Sequence, residues 1–187
     1  MAVKIYIDQG HNPVNPNAGA EGGGYREQDI VYDIGIRLSS VLRSEGFETR
    51  LSRPTPEVIL GTSNSTSLRA RVSDANGWGA DYFISLHTNA SEITAASGSE
   101  AYVFRIGSEA YTLAENILTQ LNFATGLPNR GVFARPSLYV VRRTAMPALL
   151  LELGFITNPY DLSLMVNNPT LFARGIANGF LAYFGLL

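Results

Sequence analysis

The stretch that decides the fold runs from residue 80 to residue 90 and reads Ala80-Asp81-Tyr82-Phe83-Ile84-Ser85-Leu86-His87-Thr88-Asn89-Ala90. Its apolar centre predicts a buried strand that delivers His87 at its end. The only other histidine, His11, ends a similar apolar stretch at residues 4–11. Because ligands of open α/β sheets bind beyond the carboxyl ends of the strands, the two imidazoles indicate one metal or catalytic site at a shared sheet edge.

The amino-acid composition excludes several classes of partner and of metal site. The 187 residues suffice for one domain that buries roughly 70% of its unfolded surface. A net charge of −2 offers no basic footprint for nucleic acid, and no apolar run reaches the length of a membrane span. The chain has no cysteine, so any metal must be held by histidine and carboxylate. Motifs of helix-based zinc peptidases (His-Glu-x-x-His) and serine hydrolases (Gly-x-Ser-x-Gly) are also missing.

Strand and helix patterns alternate along the chain. Apolar spacing predicts helices over residues 27–44, 68–78, 108–126 and from 168 onwards. It predicts strands over residues 3–8, 47–51, 82–86, 100–106, 138–141 and 148–153. Residues 12–24, which include prolines and three consecutive glycines, predict an irregular loop. This alternation favours an α/β fold with a mostly parallel sheet.

Carboxylates at two positions are candidates to complete the histidine site. Catalytic zinc usually takes three protein ligands and leaves a fourth position to water. Glu27, in the first turn of a predicted helix, is a candidate ligand with Glu21 as a rival, although the helix dipole alone favours a glutamate there. Glu152 lies in an apolar strand, where burial would raise its pKa and suit it to proton transfer, unless the strand end turns it to solvent. Spacing alone does not separate the ligand from the base.

Several short segments, each weak alone, form a specific pattern when they are taken together in their order along the chain. They are Asp8-Gln9-Gly10-His11, then Glu27, then Leu68-Arg69-Ala70-Arg71-Val72-Ser73-Asp74-Ala75-Asn76, then residues 83–90, then Met146-Pro147-Ala148-Leu149-Leu150-Leu151-Glu152-Leu153-Gly154-Phe155-Ile156-Thr157-Asn158, and Asp161. In this order and spacing the chain resembles, almost end to end, the zinc-dependent N-acetylmuramoyl-L-alanine amidases of bacterial and phage cell-wall lysis. It departs from that family at Gln9 and at Asn12-Pro13, where proline and small glycines are usual.

The resemblance implies a fold, a cofactor and roles for four residues. It implies one zinc amidase catalytic domain over residues 1–187, with an α/β fold whose mixed sheet has about six strands and helices on both faces. His11, Glu27 and His87 would bind one Zn²⁺, and Glu152 would be the catalytic carboxylate. The bond implied is the amide between the lactyl group of N-acetylmuramic acid and L-alanine of the stem peptide.

The resemblance also implies partners and a place of action. The partner would be bacterial peptidoglycan, attacked at the cell wall by an autolysin or a phage endolysin. We expect a monomer with no nucleic-acid partner and no membrane insertion. Because the N-terminus lacks the regions of a signal peptide, we expect release by lysis, by a holin-type route, or from a trimmed precursor.

Arginines ahead of the Glu152 strand are candidates to bind substrate. Between residues 130 and 151 the chain carries no acidic residue and four arginines: Arg130, Arg135, Arg142 and Arg143. Because arginine binds carboxylates bidentately, we expect Arg142 or Arg143 to contact the stem peptide, although a solvated loop would carry the same charges. Asn89, two residues after His87, is expected to help orient the substrate.

Two other functions fit the same residues. A zinc carboxypeptidase-like peptidase would act within the stem peptide and release different products. A non-catalytic peptidoglycan-binding module could keep the fold without turnover, but a decayed site should have lost at least one of its four residues.

Overall fold

The computed structural model describes residues 2–187, so Met1 lies outside the described part of the chain. Eight strands occur within it: β1 (Lys4–Gln9), β2 (Glu21–Gly22), β3 (Tyr25–Arg26), β4 (Glu48–Leu51), β5 (Tyr82–Asn89), β6 (Ser99–Val103), β7 (Asn129–Ala134) and β8 (Ala148–Phe155). The same residues form six helices: α1 (Glu27–Ser44), α2 (Asn64–Trp78), α3 (Glu109–Thr125), α4 (Tyr139–Arg143), α5 (Pro159–Asn167) and α6 (Pro169–Tyr183).

One six-stranded sheet organises the molecule. Its strand order is β4-β1-β5-β8-β6-β7, and β2 and β3 form a separate hairpin. Strands β4, β1, β5 and β8 run parallel, whereas β6 pairs antiparallel with β8 and parallel with β7. The predicted α/β fold with a mixed, mostly parallel sheet is therefore confirmed. No helix formed by residues 2–187 has the length and apolar character needed to span a lipid bilayer.

Each face of the sheet packs against its own helices. Alternate strand residues such as Ile84 and Leu151 are buried in the larger cluster with α1, α3 and α6. The intervening residues, such as Phe83 and Leu150, form a second cluster with α2 and α4. Because side chains alternate between faces along a strand, Glu152 shares the α2/α4 face with Leu150.

The structure corrects one predicted strand and adds elements that the prediction missed. Residues 138–141 do not form a strand, because Tyr139–Arg143 is the helix α4, with Val140 and Val141 buried in the second cluster. The sixth strand of the sheet is β7 instead. The helix α5 was not predicted, and the β2–β3 hairpin lies partly within the loop predicted over residues 12–24.

Candidate metal centre

Three side chains converge where β1, α1 and β5 meet. His11 follows β1, Glu27 opens α1, and His87 lies in β5. His11 Nε2 lies 3.2 Å from Glu27 Oε1, and His87 Nδ1 lies 3.0 Å from the same oxygen. One potential ligand atom from each residue lies within 4.8 Å of the others. Since ligand atoms about 2.0–2.1 Å from a tetrahedral ion lie about 3.3 Å apart, the group is the right size to hold one metal ion.

Glu27 is fixed as an ionised carboxylate. Its side chain is buried, Thr88 N donates to Oε1 at 3.0 Å, and Ala20 N donates to Oε2 at 2.9 Å. Burial alone would raise the pKa of Glu27, but hydrogen bonds and charge from His11 and His87 outweigh it and hold the pKa well below its usual range. The rival candidate Glu21 is exposed in β2 and does not belong to the three-residue group.

Two glycines allow the backbone to approach these side chains closely. A Cβ atom on Gly10 would lie 2.5 Å from His87 Cε1 and 2.6 Å from the carbonyl oxygen of Leu86. A Cβ atom on Gly19 would lie 2.8 Å from Glu27 Oε2. Any side chain at either position would therefore displace a member of the group.

A buried ion pair holds the backbone of His11. His11 has φ 64°, a left-handed conformation that is unfavourable for a residue with a side chain. Arg71 is buried, and its guanidinium donates to the carbonyl oxygen of His11 and to Asp8 Oδ1, both at 2.5 Å. Burial would raise the pKa of Asp8, but Arg71 and the hydroxyl of Ser85 keep it below its ordinary value. Arg71 therefore positions His11 through the main chain.

Sequence reasoning did not single out Arg71, although a signal was present. Leu68, Arg71, Val72 and Ala75 follow the spacing i, i+3, i+4, i+7 of one helix face. An arginine on an otherwise apolar face is rarely buried unless it is paired, so its position indicates a buried partner such as Asp8.

Glu152 lies beside the three-residue group, in β8. It is the register partner of His87 in β5 and of Glu100 in β6. Its Oε2 atom is buried and has no hydrogen-bond partner among residues 2–187. Burial raises the pKa of Glu152 to about 8, the charges of Glu27 and Glu100 act in the same direction, and Arg135 opposes them. A carboxyl group with this pKa can exchange a proton near neutral pH.

Asn89 lies close to this carboxyl group but uses both of its polar atoms internally. Its Nδ2 donates to Glu100 Oε1 at 2.9 Å, and its Oδ1 accepts from Ala90 N at 2.9 Å. In this arrangement Asn89 orients Glu100, and its contact with substrate stays a prediction.

Arg142 and Arg143 lie away from the group, in α4. Arg142 lines a cavity with Ala148, and the carbonyl oxygen of Arg143 accepts from Asn76 Nδ2. Ala148 begins β8, so it lies about 13 Å along the strand from Glu152. The structure does not bring these two arginines beside the histidines, and their contact with a stem peptide also stays a prediction.

A small cavity opens next to the histidines. Its volume is about 150 Å³, and His11, His87, Leu150 and the start of α4 at Leu138 and Tyr139 line it. A larger cavity of about 640 Å³ lies near Lys4 and Phe184, where β1 begins. Among residues 2–187, two members of the candidate metal-binding group, His11 and His87, line the smaller cavity. The types of side chain that line a cavity, and not its volume, therefore indicate the candidate site.

Comparison with known proteins gives a consistent result along the whole chain. A family model described as N-acetylmuramoyl-L-alanine amidase matches residues 5–182. The sporulation-specific N-acetylmuramoyl-L-alanine amidase of Bacillus subtilis is 34% identical over 189 residues, which cover 98% of this chain and 69% of that protein. The N-acetylmuramoyl-L-alanine amidase CwlM of Bacillus licheniformis is 32% identical, with 98% and 70% covered.

Solved structures agree in fold. The catalytic domain of CwlV, an N-acetylmuramoyl-L-alanine amidase from Bacillus (Paenibacillus) polymyxa var. colistinus, superposes with a TM-score of 0.84 at 29% identity and covers 99% of each chain. The CwlD amidase of Clostridioides difficile, solved in complex with the GerS lipoprotein, has a TM-score of 0.89 at 23% identity, covering 99% of this chain and 100% of its own, and supports the fold alone. With a family model matching nearly its full length, this chain belongs to the N-acetylmuramoyl-L-alanine amidase family.

Proposed function

We propose that this protein is a zinc-dependent peptidoglycan amidase. It hydrolyses the amide bond between the lactyl group of N-acetylmuramic acid and L-alanine of the stem peptide, and residues 1–187 act as its catalytic domain. The observation that carries the proposal is the convergence of His11, Glu27 and His87 beside Glu152 in a chain of this family.

His11, Glu27 and His87 are the proposed zinc ligands. Two imidazole nitrogens and one carboxylate oxygen form a ligand set used by catalytic zinc, and a chain without cysteine has no thiolate alternative. The separations of 3.2 Å and 3.0 Å to Glu27 Oε1 suit a tetrahedral ion. Zn²⁺ held there would polarise the scissile carbonyl and lower the pKa of the attacking water.

Glu152 is the proposed general base and acid. It accepts a proton from the attacking water and then donates a proton to the nitrogen of the departing L-alanine. The pKa of Glu152 is raised to about 8, whereas the pKa of Glu27 is lowered. Opposite shifts of this kind let one carboxylate stay ionised as a ligand while the other moves protons.

The proposed substrate determines where the protein acts. Peptidoglycan lies outside the cytoplasmic membrane, so the activity belongs at the bacterial cell wall.

Mass spectrometry of the products tests the proposal. Purified cell walls are incubated with the protein, with the protein plus a chelator, and with the chelated protein after Zn²⁺ is restored. We expect intact stem peptides with a free L-alanine amine, lost on chelation and recovered with Zn²⁺. Shortened stems that stay attached to muramic acid would instead identify a peptidase, and wall binding without soluble products would identify a binding module.

A further inference from the structure

Arg135 is anchored beside the proposed active site before substrate binds. Its backbone N–H donates to the carbonyl oxygen of Val103 at 2.8 Å, and its own carbonyl oxygen accepts from Leu138 N at 3.0 Å. Its guanidinium carbon lies 4.6 Å from the centre of the Tyr102 ring. That ring is held in turn, because the hydroxyl of Tyr102 donates to Glu100. The guanidinium is therefore positioned by its own main chain and by a fixed aromatic face.

The guanidinium of Arg135 is free to bind a carboxylate, whereas that of the neighbouring Arg130 is already paired with one. Arg130 Nε lies 2.8 Å from Glu100 Oε2, and its guanidinium stacks over Phe155 at 5.0 Å. Arg135 is exposed, and its side chain makes no hydrogen bond or ion pair with any residue from 2 to 187. An arginine stacked on an aromatic ring keeps its planar set of N–H donors free for a carboxylate.

Arg135 also lies on the same side of the sheet as Glu152. Strand β6 pairs with β8 so that Glu100 is opposite Glu152 and Tyr102 is opposite Leu150. Glu100 and Tyr102 are two residues apart, so both project to the face that carries Glu152. The charge of Arg135 also acts on this carboxyl group, because it opposes the overall rise in the pKa of Glu152.

The distance along β6 from Glu100, opposite Glu152, to Tyr102, whose ring contacts Arg135, matches the length of a short extended peptide. Two residues of strand extend about 7 Å, which is the reach of one or two residues of an extended peptide. A stem peptide whose first amide bond lies at Glu152 would therefore bring its second residue near Arg135. Where that second residue is a glutamate linked through its side chain, it carries a free carboxylate.

From these contacts we infer that Arg135 binds the carboxylate of the second stem residue and makes the enzyme prefer stems in which that group is free rather than amidated. The inference rests on the proposed amidase function and adds a residue that determines substrate specificity. The two N–H groups of the guanidinium fork would pair with the two carboxylate oxygens.

A matched pair of substrates tests the inference. Two muropeptides of equal length are used, one with a free carboxylate at the second stem residue and one with its primary amide, and kcat/KM is measured for each. The wild-type protein should prefer the carboxylate form. Arg135→Ala should lower kcat/KM for that form by about ten- to hundredfold, as expected for a lost charge-assisted hydrogen bond, and should change the amide form little.

Two further variants separate recognition from general damage. Arg135→Lys keeps the charge but loses the planar fork, so its loss on the carboxylate form should be intermediate. Arg174→Ala removes an exposed arginine from α6, on the opposite side of the sheet, and should leave both substrates unaffected. Zinc content and Tm are measured for every variant to show that each folds and keeps its metal.

The outcomes distinguish this inference from the proposed function itself. An equal loss on both substrates in Arg135→Ala, or a shifted pH profile shared by both, would show that Arg135 only tunes Glu152 and would overturn the inference. An unchanged Arg135→Ala would overturn it as well. Failure of the wild-type protein to release a stem peptide from either substrate would instead contradict the amidase function.

Discussion

Glu27 and Glu152 are both carboxyl groups at one sheet edge, yet their surroundings shift their pKa values in opposite directions. Two imidazoles and two backbone N–H groups surround Glu27 and stabilise its ionised form. Glu152 has a buried oxygen without a partner, and the charges of Glu27 and Glu100 disfavour its ionisation. The same residue type is thereby suited to two tasks, metal binding and proton transfer.

Substitution of each glutamate should separate these tasks. We expect Glu152→Gln to keep its zinc and to lose turnover by about 10²–10⁴-fold, the usual contribution of a general acid or base. We expect Glu27→Ala to weaken zinc binding by more than about 100-fold, since even residues that only support a metal ligand contribute about 10–100-fold. Metal analysis after dialysis and product release from cell walls measure the two effects. Zinc loss in Glu152→Gln with zinc retained in Glu27→Ala would mean that the two roles are reversed.

The raised pKa of Glu152 also predicts a stability effect in the metal-free protein. Between the ordinary glutamate pKa of about 4.3 and the folded value of about 8, the folded protein holds a proton that the unfolded chain has released. The stability supplied by this group is therefore complete below about pH 4.3 and is lost as the pH rises towards 8. Glutamine does not titrate, so Glu152→Gln should raise the Tm relative to the wild type.

The difference in unfolding free energy between Glu152→Gln and the wild type should grow from pH 5 to pH 8 by about 3–4 kcal/mol, since each pH unit between the two pKa values contributes about 1.36 kcal/mol. Thermal unfolding of both chelated proteins, followed by circular dichroism across this range, measures it. A constant difference at all pH values would contradict a raised pKa at Glu152.

At the scale of elements, the end of β1 must pass very close to β5 for the site to form. Gly10 N donates to the carbonyl oxygen of Leu86 at 3.0 Å, so the chain after β1 stays hydrogen-bonded to β5. At this point the imidazole of His87 occupies the space that a Cβ atom on Gly10 would need. The position of His87 therefore depends on a glycine in the neighbouring strand connection.

Gly10→Ala should therefore disturb the proposed metal site through backbone displacement. The new methyl group would lie 2.5 Å from His87 Cε1 and 2.6 Å from a backbone oxygen, so either the ring or the chain must move. We expect zinc affinity to fall by about tenfold or more, by analogy with altered support of a metal ligand. Competition with a zinc-binding dye measures the affinity.

A second glycine-to-alanine change provides the control. Gly77 lies in α2, and a Cβ atom there would meet nothing within 4 Å. Gly77→Ala should keep zinc affinity and gain up to about 1 kcal/mol of stability from the better helix propensity of alanine. Equal zinc affinity in both variants would show that Gly10 is not needed for close approach.

Sequence patterns predicted the longer helices and most strands of the sheet close to their observed bounds. The helix α1 was predicted over its observed range, 27–44. Residues 138–141 were mispredicted because Tyr139, Val140 and Val141 favour strands, while burial against the second cluster holds them as a five-residue helix. Strand β7 was missed because Gly131 interrupts it and all of its residues are exposed or half-buried at the sheet edge.

At the scale of the whole molecule, the candidate site is assembled from positions that are far apart in sequence. His11, Glu27 and His87 lie far apart in the sequence, and the sheet order β1-β5-β8 places the strands that deliver the two histidines next to that of Glu152. The scarcity of histidine made His11 and His87 predictable from sequence. The proposed roles of Glu27 and Glu152 needed the family resemblance, because the opposite environments of the two carboxyl groups arise only when the chain folds. Glu100 adjoins the site through a strand pairing that no local pattern encodes, whereas Arg71 left a local signal as an arginine on an apolar helix face.

Because the proposed zinc ligands come from β1, α1 and β5, metal binding should stabilise the folded molecule as a whole. A ligand that binds only the folded state adds about 2.7 kcal/mol when its concentration is 100 times its Kd. We therefore expect Zn²⁺ to raise the Tm of the chelated wild-type protein by several degrees. Glu27→Ala should lose this rise, whereas Glu21→Ala, which alters an exposed glutamate in the nearby hairpin, should keep it. Differential scanning calorimetry with and without Zn²⁺ measures the effect. A rise that persists in Glu27→Ala would place the stabilising metal elsewhere in the protein and would remove the main support for the proposed centre.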